Sequence, residues 1–314
     1  MYKFALARKI DIQIDIISYR LSHWLSMVVD LLQAVILGIV QGLTEWLPIS
    51  SSGHLALLQL AMGLKVPVFF DLILHVGSLA GVFAIYRKDI VSIISSMVWY
   101  VCYRIVPRNS NKISSHNHLR RQQEEQQNHA DIQLIILIII GMIPTAIIGI
   151  VFRSFFEFSF YDTTSIATGF IVTGFFVIVT RFLKNGYKRI ENSDAFLIGI
   201  GQGLSIFSSI SRSGATISVG MFRGLDKDNL VKYSFLLSIP AILGASIFDM
   251  ITADRDTLSQ MDDISIMSYF VGIFASALVG YGSIKFLIKA INKGSFYMFS
   301  FYCFAIGFAT FIIL

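Results

Sequence analysis

Long apolar runs dominate this chain, and their lengths set the first expectation. Between Ile132 and Phe152 no ionisable side chain interrupts the sequence. About 20 such residues are needed for a helix to cross a bilayer. Runs of this kind predict six full transmembrane helices, over 68–86, 132–152, 165–183, 229–250, 267–289 and 295–314. Two more apolar regions, 31–64 and 195–222, are broken by Ser and Gly. Residues 1–29 read as an N-terminal amphipathic extension, apolar and polar positions alternating around Trp24, suited to the membrane interface. Asp11, Asp15 and Arg20 interrupt the apolar stretch that a signal peptide would need.

Composition agrees with this pattern. The chain is 55% hydrophobic and 14% charged, against about 25% charged for soluble domains. A soluble enzyme, a disordered chain and a disulfide-stapled domain are excluded. The net charge of +5 points to membrane orientation and not to nucleic acid, because basic residues gather on cytoplasmic loops. Arg87 and Lys88, Arg104 to Arg121, Lys184 to Arg189, and Lys285 to Lys293 fall on one side if 90–106 lies on the cytoplasmic interface. Residues 107–130 then read as a solvated cytoplasmic loop. Asp254, Asp256, Asp262 and Asp263 mark an outer connection. Cys102 and Cys303, far apart and without a CxxC, read as packing residues.

The most informative feature is an internal repeat. Residues 38–54 align without gaps on 199–215, with nine of seventeen positions identical, including Gln41/Gln202, Ser50/Ser211, Ser52/Ser213 and Gly53/Gly214. Three predicted spans separate the copies, an odd number, so the second copy enters from the opposite face. The expected fold is an all-α polytopic membrane protein with an inverted-topology repeat. Each half, about 30–183 and 194–314 of one membrane domain, has a re-entrant helical hairpin plus three transmembrane helices. The hairpins 31–64 and 195–222 would meet tip to tip, where such folds form their sites.

The ionisable side chains inside these hairpins are few: Glu45 and His54 in the first, Arg212 in the second. Buried charges at bilayer depth are costly and mark functional sites by default. They also stand where the copies diverge: Glu45 opposite Ile206, Ser51 opposite Arg212, His54 opposite Ala215. The alternative is a buried Glu45–Arg212 pair that only fixes hairpin register, with His54 as a core histidine. The tips, Ser50-Ser51-Ser52-Gly53-His54 and Ser211-Arg212-Ser213-Gly214-Ala215-Thr216, set hydroxyls and Gly before an apolar run. Two helix N-termini and a guanidinium favour phosphate. Ser50, Ser52, Ser211, Ser213 and Thr216 are candidate phosphate contacts, although for Ser50 and Ser213 capping of the backbone explains the hydroxyl equally well. Gln41, at i−4 from Glu45, would bind ligand or metal, or serve the hairpin as Gln202 does. His75, beside Asp71 on the first full span, would orient a catalytic group from outside it. Arg153, Glu157 and Arg223 read as solvated or snorkelling.

These motifs resemble those of the undecaprenyl-diphosphatase family, the bacitracin-resistance type. Gln41-Gly-Leu-Thr-Glu-Trp-Leu-Pro-Ile-Ser-Ser-Ser-Gly-His54 and Ser211-Arg-Ser-Gly-Ala-Thr216 are similar to its two signatures, with Asp71-Leu-Ile-Leu-His-Val-Gly77 between them. The resemblance covers the chain from about residue 30. It implies hydrolysis of a polyprenyl diphosphate lipid to the monophosphate, recycling the carrier for cell-envelope glycans. It also implies Glu45, Ser51, His54 and Arg212 as catalytic residues, and a divalent cation (Mg2+ or Ca2+) on Glu45 and Gln41. A plasma-membrane site open to the outer face and a homodimer are further family-level expectations. Where the family's second motif commonly begins Pro-Gly, this chain has Ser208-Ser209. The competing function is a transporter or flippase for an anionic polyprenyl lipid, since inverted repeats are transporter architecture.

Overall fold

A computed structural model describes residues 30–63, 68–105, 116–159, 162–207, 209–252 and 265–313. The extension 1–29, the acidic connection 253–263 and residues 107–115 lie outside these. The described residues form twelve α-helices: α1 (30–46), α2 (Ser51–Met62), α3 (Val68–Ile85), α4 (Arg87–Ile105), α5 (His116–Val151), α6 (Arg153–Ser159), α7 (Thr163–Val179), α8 (Asn192–Leu204), α9 (Arg212–Phe222), α10 (Lys227–Thr252), α11 (Ile266–Asn292) and α12 (Phe299–Ile313). Among them the only strand-like pairings are two isolated bridges, Gly186 with Asp226 and Lys188 with Leu225.

Five helical stretches are long and apolar enough to cross a membrane: 122–151, 163–182, 227–252, 266–292 and 296–313. The remaining expected span, α3, qualifies only together with α4, which it meets beyond Ile85 at a bend of 86°. Arg87, Lys88 and Asp89 open α4, and three charges in its first turn disfavour continuation through hydrocarbon. One face of α4 docks on α5: Ser92 and Ser96 donate to Asp131 at 2.5 and 2.9 Å, and Ser96 to Asn128 at 2.9 Å. Val91, Ile94, Val98 and Val101 form an exposed apolar stripe on the other. Polar contacts inward and apolar residues outward are what an interfacial helix requires.

The expected loop at 107–130 needs correction. Residues 116–130 are helical and continue without a break into the apolar part of α5. They contain no Gly or Pro and are rich in Gln, Glu and Arg, all good helix formers. Polarity alone therefore did not make a loop.

Both interrupted regions fold as helix–turn–helix hairpins. Helices α2, α8 and α9 have 12, 13 and 11 residues, or roughly 16–20 Å at 1.5 Å per residue, short of the ~30 Å hydrocarbon core. Glycines seat the first arm of each. A Cβ on Gly42 of α1 would come within 2.5 Å of the Ser276 carbonyl oxygen on α11. One on Gly199 of α8 would come within 2.1 Å of the Gly141 carbonyl oxygen on α5. Backbones this close exchange side-chain hydrogen bonds, as Thr145 does in donating to the Gly199 carbonyl at 2.9 Å.

Candidate active site

Each hairpin tip ends in a capped helix N-terminus. The Ser50 hydroxyl accepts from the Gly53 N–H at 3.2 Å, and the Ser211 hydroxyl from the Gly214 N–H at 3.1 Å. These are the contacts expected of a serine N-cap. The two tips also touch. The Leu47 carbonyl in the first turn accepts from Ser213 at 3.1 Å and from Ser211 at 3.5 Å. Ser50 (φ 69°) and Ser209 (φ 60°), the non-glycine residues of positive φ among those described, both stand at the tips. Such backbone conformations persist only where the surroundings hold them.

Glu45, at the end of α1, is the centre of the cluster. It pairs with Arg212 of the opposite hairpin through Oε1. Its Oε2 accepts from Gln41 Nε2 at 2.9 Å and Ser51 Oγ at 2.5 Å, and His75 Nε2 lies 3.4 Å away. The Glu45 and Arg212 side chains are 5% and 15% exposed. The guanidinium also lies over the Trp46 ring, 5.5 Å from its centroid, and Nη1 reaches the Ser238 carbonyl at 3.5 Å. Trp46 is wholly buried against Phe235. A cation–π contact and a buried carboxylate together hold Arg212 at the junction of the hairpins.

His54 occupies a neighbouring position on α2. Its Nδ1 lies 2.6 Å from the Ser50 carbonyl and its Nε2 2.7 Å from the Tyr302 hydroxyl on α12. Ser52 is half-buried, 3.4 Å from Ser50. Thr216 is fully buried and bonds Ser234 at 2.6 Å and the Arg212 carbonyl at 2.9 Å. Of the five hydroxyl residues considered for phosphate, Ser50, Ser211, Ser213 and Thr216 are therefore buried and engaged with the protein. Gln202, the repeat partner of Gln41, bonds Thr145 on α5 at 3.3 Å. Gln41 donates to Glu45 instead, and the Oε1 of both glutamines is buried with no hydrogen-bond partner among the described residues.

His75 stands beside Glu45. Its Nδ1 donates to the Asp71 backbone carbonyl at 2.8 Å. The Asp71 carboxylate instead receives both bonds from Gln59 Nε2, at 3.0 and 2.9 Å. Two other expectations gain partners and one is corrected. Arg223 is not merely solvated but bonds Asp194, which is fully buried and also takes Lys188. Arg153 is paired with Asp249 and covers Phe248. Cys303 packs in the core, its thiol 3.4 Å from the Pro48 carbonyl, but Cys102 is exposed. The contacts of Trp46 and Tyr302 escaped the sequence reading. Trp46 stood inside the first motif next to Glu45 and could have been found; a lone Tyr in an apolar run carries no such signal.

Among the described residues no three His, Cys, Asp or Glu side chains come together as a metal site. The oxygens available are those of Glu45 and the unpartnered Gln41 Oε1. That set is too small for a closed cage but fits an open Mg2+-type site, which uses one or two carboxylates and is completed by water and substrate phosphates.

The family model described as "Bacitracin resistance protein BacA" matches residues 34–309. A protein of Carboxydothermus hydrogenoformans named undecaprenyl-diphosphatase is 39% identical over 279 residues, 88% of this chain and 94% of its own. Proteins of the same name from Methanosphaera stadtmanae and Korarchaeum cryptofilum are 37% and 33% identical, covering 90% and 91% of this chain and 98% and 100% of theirs.

Proposed function

From the premise that this chain belongs to the bacitracin resistance protein BacA family, we propose how its site hydrolyses undecaprenyl diphosphate to the monophosphate and phosphate. It is a multi-pass membrane phosphatase. The observation that carries the mechanism is the contact between Glu45 of one hairpin and Arg212 of the other, beside two helix N-termini.

Arg212 leaves Glu45 to grip the diphosphate, which offers more oxygen acceptors and more negative charge than one carboxylate. The positive ends of α2 and α9 add to this field. Ser51 acts as the nucleophile in this reading, which its hydrogen bond to Glu45 at 2.5 Å supports. Gln41 and His75 orient that carboxylate in turn. A nucleophile, a base within hydrogen-bond reach and a third group orienting the base form the usual activating arrangement. The Ser51 proton passes to Glu45, the Ser51 oxygen bonds the terminal phosphorus, and the anhydride bond to undecaprenyl phosphate breaks. His54 then takes a proton from the water whose oxygen bonds the phosphorus, the Ser51 Oγ–P bond breaks, and Glu45 returns its proton to Ser51. Glu45 and Gln41 would hold a divalent cation, which would supply charge neutralisation on the phosphates.

The two hairpins, each seated by glycine on a span of the other half, support an inverted repeat. A plasma-membrane site opening to the outer face agrees with the basic residues of 181–189 and 285–293 on the cytoplasmic side. The test is phosphate release from a polyprenyl diphosphate by purified protein in detergent, where a flippase has nothing to hydrolyse. Ser51→Ala should abolish both release and trapping of labelled phosphate on the protein. Labelled phosphate on Ser51→Ala would remove Ser51 as nucleophile.

A further inference from the structure

The hydrogen bonds of His54 fix its tautomer. The Ser50 carbonyl, 2.6 Å from Nδ1, can only accept, so Nδ1 carries the hydrogen. In the neutral ring Nε2 is then a lone pair, and the Tyr302 hydroxyl donates to it at 2.7 Å. The two rings lie within 7° of parallel with centroids 5.6 Å apart. Phe170 stands edge-on to His54 at 5.1 Å, so the imidazole is held between two aromatic side chains. Tyr302 is 42% exposed, whereas His54 is half-buried. Tyr302 is thus the more exposed residue of the pair.

We infer that His54 exchanges its proton through the hydroxyl of Tyr302. The inference rests on the phosphatase reading above and assigns that site a further residue. As water attacks the phosphoserine, its O–H bond breaks and its proton joins the Tyr302 oxygen. The Tyr302 O–H bond breaks in the same step and its hydrogen bonds to His54 Nε2. The phenol ends neutral and the imidazole ends as imidazolium, donating back to Tyr302. The water oxygen bonds phosphorus as the Ser51 Oγ–P bond breaks, Ser51 regains its proton from Glu45, and the proton on His54 leaves through Tyr302 to water. A direct path to Nε2 would first require the phenol to be displaced.

Tyr302→Phe tests this because it keeps the ring and its packing while removing only the oxygen. Turnover should fall on the order of 10²-fold, the scale of lost acid–base assistance, with KM unchanged. In a His54→Ala background the same change should cost nothing further, since the two residues act as one unit. Full turnover in Tyr302→Phe, or a loss that simply multiplies with that of His54→Ala, overturns the inference. A measurement independent of turnover is carbethoxylation of His54 by diethyl pyrocarbonate, read by mass spectrometry of its peptide. Uncovering the Nε2 lone pair should make this faster in Tyr302→Phe, and an unchanged rate also counts against the relay. Wild-type protein that releases no phosphate would refute the phosphatase reading, while the labelling rate would still judge the Tyr302–His54 contact.

Discussion

Ser209 stands in the tip of the second hairpin with φ 60° and a hydroxyl that is buried without a hydrogen-bond partner among the described residues. Ser209→Gly should therefore stabilise the protein. The left-handed conformation costs a residue with a Cβ roughly 1–2 kcal/mol. An unsatisfied buried polar group costs about 1–3 kcal/mol more. Against this, glycine loses about 0.5–1 kcal/mol of extra chain entropy on folding. The balance is a gain of about 1–4.5 kcal/mol. The Ser209 carbonyl, which accepts from Thr173 at 3.3 Å, is unaffected because it belongs to the backbone. Thermal unfolding in detergent, followed by loss of soluble monodisperse protein, would show the midpoint rising by several degrees. Ser209→Ala separates the two contributions: it removes the hydroxyl and keeps the strain, so it should gain less than Ser209→Gly. A midpoint lowered by Ser209→Gly would refute both the strain and the orphaned hydroxyl.

The remaining predictions concern the site and its frame. Arg212→Lys keeps the charge beside Glu45 but loses the planar fork, so it should be nearly as inactive as Arg212→Ala yet more stable. The Ala variant should lose about 3–5 kcal/mol by leaving a buried carboxylate without its cation; an active Arg212→Lys would take the residue out of phosphate binding. At the foot of α8, burial pushes the Asp194 carboxyl up, but hydrogen bonds from Lys188 and Arg223 outweigh it and hold the group below the usual carboxylate range. Its contribution to stability is full above the unfolded value of about 3.9 and is lost as pH falls through the folded one. Wild type should thus lose its stability advantage over Asp194→Asn only in acid, and a difference that stays constant from neutral pH downward would contradict the pairing. Tyr187, 84% exposed between α7 and α8, replaced by Cys in a background lacking Cys102 and Cys303, should react with an impermeant thiol reagent only after the cells are opened. Labelling in intact cells would reverse the proposed orientation.

The sequence by itself determined the helical class, most of the spans and the residues of greatest chemical interest. Those features are local or compositional. Ile132 to Phe152 is apolar wherever it packs, and Glu45, His54 and Arg212 are conspicuous because ionisable groups are costly in hydrocarbon. The repeat marked both hairpins because the capping serines and Gly53/Gly214 serve the same local geometry in each. Where neighbours decide, the sequence was silent or misleading. Residues 116–130 are polar enough for a loop, yet they extend α5 because nothing in them stops a helix. Asp71 and His75 were adjacent in one motif, but the α-helix turned one toward Gln59 and the other toward Glu45. Asp194 is buried only because Lys188 and Arg223 converge on it from separate segments. Tyr302 lies 248 positions from His54, and only the packing of α12 against the first hairpin brings a phenol to that imidazole. Side-chain pairing across such separations depends on the tertiary arrangement of helices, and no local pattern records it.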